Sequence, residues 1–126
     1  MRTITFEHKV LNFDFSLGSV NDVYIKELGG SFDDLINMQK FENDTPRLIE
    51  LARDILVSAH IYWLFCNGED EEAEKLLTKI KSTKMIATKW VMQEGLINIV
   101  EWITEGLIPS ELDEPKDSSV KTAKKK

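Results

Sequence analysis

Cysteine, histidine and proline are scarce in this 126-residue chain: it has one, two and three of them. With Cys66 alone no internal disulfide can form, and a reducing, cytoplasmic setting is the natural expectation. His8 and His60 lie far apart, with no cysteine or carboxylate at ligand spacing. No zinc motif can be written from them, and both read as structural or surface residues. Cys66 closes a hydrophobic helix turn after Tyr62 and Trp63, without a nucleophile signature, and reads as a small buried hydrophobe. A phosphate loop is missing too, since Gly29-Gly30 is isolated and no P-loop lysine follows it. There is no repeat of solenoid length. No apolar run approaches the roughly 18–20 residues of a membrane span. The segment Met1–Glu7 lacks the apolar stretch and cleavage site of a secretory signal.

Basic charge is short as well, but unevenly. Residues 1–108 hold 18 acids against 11 bases, a net charge of −7, whereas residues 109–126 hold 4 acids and 5 bases. Phosphate-backbone binding relies on clustered Lys and Arg, so nucleic acid is excluded as a partner of the body. Pro109 thus separates an acidic helical domain, 1–108, from a polar tail, 109–126, whose apolar content is too low to fold alone.

What is present is mostly helical periodicity. Leu11, Phe13 and Phe15 alternate with Asn12, Asp14 and Ser16, the period of a half-buried strand, and Thr3–Phe6 offers a short partner. The hairpin this predicts would turn at Glu7-His8-Lys9, which lacks the Gly or Asn that tight turns favour. An extended arm over residues 1–16 is the alternative. Ser19 then reads as a helix cap, with Val20, Val23, Tyr24 and Leu28 at helical spacing and Gly29-Gly30 as the stop. Ser31 starts a second short helix carrying Leu35, Ile36, Met38 and Phe41.

Thr45-Pro46 predicts the start of a long helix running to Cys66, with Thr45 as the cap. Its apolar stripe runs from Leu48 through Ile55, Ala59 and Trp63. A surface helix opens at Glu69-Asp70-Glu71-Glu72, with a break or kink at Ser82-Thr83. A second long helix spans about Lys84 to Leu107. Apolar residues cover most of its circumference, so it is either central to the bundle or keeps a face for a partner. The expected fold is a small bundle of about five helices with an N-terminal hairpin.

Catalytic chemistry finds little support. Glu71 and Glu74 on one helix, with Glu94, Glu101 and Glu105 on another, raise the possibility of an all-helical magnesium-dependent nucleotide pyrophosphatase. The acids cluster in a first turn, where the helix dipole already accounts for them. No catalytic residue, metal ligand or cofactor is assigned.

The order of parts resembles a known family. A β-patterned segment, Ile4 to Phe15, leads into Val20-Asn21-Asp22-Val23-Tyr24-Ile25-Lys26-Glu27-Leu28-Gly29-Gly30, and then into a helical body and a charged tail. This resembles the tail assembly chaperones of long-tailed phages of Gram-positive bacteria, with the stretch from Phe13 to Gly30 carrying most of the likeness. The chain departs from the family's glycine-containing first turn at Glu7-His8-Lys9. The resemblance implies a non-catalytic protein of the host cytoplasm, absent from the finished virion. It would bind the tape measure protein and keep it soluble until tail tube protein assembles around it. It also implies a longer frameshifted product, to which the adenine-rich codons of Lys124-Lys125-Lys126 would be suited. Self-association along the elongated client is expected, and the contact candidates are Trp63, Phe65, Trp90, Met92, Leu96, Ile99, Trp102 and Ile103. The rival of another class is a small cytoplasmic helical adaptor or inhibitor.

Overall fold

A computed structural model describes residues 2–41 and 43–107. The tail expected over 109–126, and the helix end at Ile108-Pro109, lie outside the described residues. The chain begins with the predicted hairpin, β1 (Arg2–Phe6) antiparallel to β2 (Lys9–Phe13), with Ile4 opposite Leu11 and Phe6 opposite Lys9. Glu7 and His8 alone make the turn, at φ 51° and 68°. The type I′ form of a two-residue hairpin turn has positive φ at both positions, so this chain accepts the left-handed strain that Asn-Gly would avoid. Ile4, Leu11 and Phe13 are buried on one face, and Phe15 is buried just beyond the strand.

Ser16, not Ser19, is the first helix cap. Its hydroxyl accepts from Ser19 N–H, Ser19 reciprocates, and α1 (Leu17–Ser19) runs directly into a π-helical turn over Val20–Ile25. The wider turn still buries Val20, Val23 and Tyr24, so helical periodicity located the inner face even though the geometry is not α. The short α2 (Phe32–Ile36) is capped by Ser31, as expected, and passes into a 3₁₀ turn over Met38–Phe41.

The long helix α3 (Thr45–Cys66) is capped by Asp44, whose carboxylate accepts from Arg47 N–H at 3.2 Å. Thr45 is its first residue, and the proline sits in the first turn as predicted. Every residue from Ile55 to Ile61 is buried, which makes α3 the central helix. The hairpin lies across it: Asp14 N–H donates to Ala59 C=O at 3.0 Å, and His60 Nδ1 lies 2.8 Å from Asn12 C=O. Cys66, at the far end, is exposed, contrary to the buried reading. The helical stripe has ended there, and the chain turns at Asn67-Gly68.

Helix α4 (Asp70–Thr78) is the acidic surface helix, and only its Ala73 is buried. The break that follows is at Lys79 rather than Ser82-Thr83, and Thr83 explains how it is held. That buried hydroxyl lies 3.0 Å from Leu76 C=O, a carbonyl of the last turn before the break, and 3.1 Å from Lys79 C=O, which also accepts from Thr83 N–H at 2.9 Å. Helix α5 (Ile80–Glu94) then runs to Gly95, and α6 (Leu96–Leu107) follows. The single helix predicted from Lys84 to Leu107 is therefore two. Gly95 has φ +96° and ψ 130°, a conformation essentially restricted to glycine, and it interrupts the helix there. The fold is mainly helical with an N-terminal hairpin, as predicted, and the extra helix comes from this interruption.

Candidate partner-binding surface

The interruption at Gly95 decides which apolar residues face inward. On α5 the buried positions are Thr83, Ala87, Trp90 and Val91. After the break the helical phase restarts, and on α6 the buried positions are Ile99 and Ile103. Helix α6 is fixed closely at its C-terminal half. A Cβ on Gly106 would sit 2.6 Å from Phe15 Cβ and 2.9 Å from Phe15 O, so only glycine allows that approach. Trp102 meets Phe15 edge-on at 6.4 Å, and the Arg2 guanidinium lies over its ring at 5.4 Å while pairing with Glu105.

The outer side of α6 is left open. Leu96, Ile97 and Val100 line a groove of about 570 Å³ whose other wall is Met38 and Leu48, from the 3₁₀ turn and the start of α3. Glu101 and Thr104 edge it. Ile97 is 75% exposed, the most open large apolar side chain among the described residues. Fully burying one such side chain is worth roughly 1.5–3 kcal/mol, which isolated this surface forgoes. Along α5, Met85 at 72% and Met92 at 58% exposure, seven residues apart, add a second outward apolar line, and methionine adapts to irregular partners.

The eight contact candidates fall into three groups. Trp90, Ile99 and Ile103 belong to the hydrophobic core and are not contact residues as the chain stands. The prediction placed them on one long helix that is apolar over most of its circumference, and with the interruption at Gly95 all three face inward. Trp63, Phe65, Leu96 and Trp102 are half-buried against that core, and Leu96 reaches the groove. Met92 is exposed. Residues the sequence reading did not name as contacts are Ile97, Val100, Leu48, Met38 and Met85. Gly95 in the middle of an apolar helix was the signal for the first two.

Among the described residues that line the groove, Glu101 is the one carboxylate. Among the described residues no three His, Cys, Asp or Glu side chains converge to hold a metal ion. Glu71 and Glu74 border a shallow surface depression with Glu69, Glu72 and Lys75, while Glu105 pairs with Arg2 on another face. No described helix is long and apolar enough to cross a membrane. Set against known proteins, the chain matches no family model, no curated protein and no solved structure.

Proposed function

We propose that this protein is a non-catalytic tail assembly chaperone that holds the tape measure protein of a long-tailed phage in solution. The observation that carries the reading is the open apolar groove of α6, with Ile97 and Val100 facing Met38 and Leu48 on an otherwise acidic body. A long helical client exposes apolar stripes before tail tube protein surrounds it. Burying such a stripe in a groove of this size supplies affinity, and surplus negative charge keeps the complex soluble. The setting is the host cytoplasm, with release before the virion is complete. Self-association along the client would use the second apolar line, Met85 and Met92.

The test is co-expression with a candidate tape measure protein. Soluble client is expected to rise several-fold with the chaperone present and to co-purify with it. A client equally soluble alone ends the proposal.

A further inference from the structure

The groove along α6 selects both the shape and the charge of what fills it. From Leu96 to Thr104 its α6 wall runs about 12 Å, at about 1.5 Å of rise per residue. Met38 and Leu48 face that wall from a 3₁₀ turn and a helix start, so no described strand borders the groove. Helical walls keep their backbone groups bonded within their own turns. An extended ligand would set its N–H and C=O groups against apolar side chains, without partners. A helix satisfies those groups itself. Two turns of it match the wall, with side chains at i, i+3 or i+4, and i+7.

The polar lining adds the sign. Thr104 donates its hydroxyl proton to Val100 C=O at 2.9 Å, which leaves only lone pairs for a ligand. The Glu101 carboxylate, exposed on the edge, forms no hydrogen bond or ion pair with another described residue. Both side chains therefore offer acceptors, and the ligand has to donate. No base on α6 answers Glu101, since the helix has no lysine or arginine, and its other carboxylate, Glu105, already pairs with Arg2. On the opposite wall Lys40 and Arg47 are neighbours in sequence, but neither lines the groove, and Arg47 is held by Asp34 and Glu50. The body around them, with 18 acids against 11 bases over residues 1–108, adds a field that favours a cation.

We propose that the groove takes a basic amphipathic helix. Its apolar side chains recur every three or four residues over two turns, and a lysine or arginine beside that stripe meets Glu101. The client then carries such a segment, a conclusion that rests on the chaperone reading above.

Two synthetic alanine-rich peptides of about 18 residues, long enough to form a helix, are the probes. Both carry a leucine stripe; one flanks it with lysines and its twin with glutamates. Each is titrated into the full chain while the methyl groups of Ile97 and Val100 are followed by NMR. The lysine peptide is expected to shift both methyls saturably and to bind at least about tenfold more tightly than its twin. Glu101→Gln, on an exposed side chain, keeps the fold and should weaken the lysine peptide about three- to tenfold. Glu71→Gln, on α4 and outside the groove, should leave it unchanged. Equal losses in both variants would mean diffuse attraction to an acidic surface, and equal binding of the twins would mean that charge plays no part. Either result overturns the proposal. So do methyls that shift when the chain alone is concentrated, which would give the groove to a second copy. A lysine peptide that docks, beside a client that is soluble alone, ends the chaperone reading and keeps the basic helix. A client kept soluble by the chain, with no preference between the peptides, ends the basic helix and keeps the chaperone.

Discussion

His60 shows how one side chain ties the hairpin to the bundle. Its Nδ1–H donates to Asn12 C=O from a buried position on the central helix, with the Phe13 ring 5.4 Å away. Burial pushes its pKa below the ordinary 6.5, and nearby Lys9 pushes the same way. The Asn12 carbonyl, Glu72 and Glu69 oppose without reversing the direction. Protons therefore bind the unfolded chain more readily than the folded one between the lowered value and 6.5. The sign follows: this residue's contribution to stability is full above pH 6.5 and is lost as pH falls from there towards the lowered folded value. Thermal melts at pH 8, 6.5 and 5 should show a declining midpoint. His60→Gln, which does not titrate, should flatten that decline relative to wild type while lowering stability at pH 8, where the buried neutral ring and its bond to Asn12 are lost. An equal slope in both proteins would assign the acid sensitivity to carboxylates instead.

At the scale of elements the decisive position is Gly95. An L-residue with a Cβ at φ +96° and ψ 130° is strained by about 1–3 kcal/mol, even though the nearest side-chain atom, Asn98 Nδ2, is 4.0 Å away. Gly95→Ala is therefore expected to lower the melting midpoint by several degrees, at about 3–5 °C per kcal/mol for a chain of this size. Helix propensity alone would have it rise, since alanine favours a helix by about 1 kcal/mol over glycine. A higher midpoint would mean that α5 and α6 fuse and that the groove closes or moves. The same residue separates what the sequence revealed from what it hid. Period-two alternation located the hairpin face, and Pro46 located the start of α3, because both signals are local. Apolar residues at Trp90, Ile97 and Ile99 gave no phase by themselves. Their burial depends on a single backbone angle at Gly95 and on how closely Gly106 approaches Phe15, which no periodicity records. The Asp44 and Ser16 caps shifted by one to three residues for a similar reason, since several neighbouring polar side chains can cap.

For the whole molecule the question left open by the sequence was whether the last apolar helix is the centre of the bundle or keeps a face outward. The centre is α3, buried continuously from Ile55 to Ile61, so α6 is peripheral: Ile99 and Ile103 face inward and Ile97 faces outward. Two sides of one short helix thus do different work, and substitutions can separate them. Ile97→Asp with Val100→Asp places two charges in the groove, where Val100 is half-buried and Ile97 almost free. The fold should lose no more than about 1–2 kcal/mol, most of it at Val100. Client binding through the groove would then require burying two unpaired carboxylates and should fall by at least a hundredfold. Ile99→Asp buries a charge in the core and should unfold the chain outright, which marks the inner side. Circular dichroism melts beside pull-down of the tape measure protein distinguish these outcomes. A doubly substituted chain that still melts near wild type and still retains the client would move the binding surface away from α6, to the Met85 and Met92 line of α5.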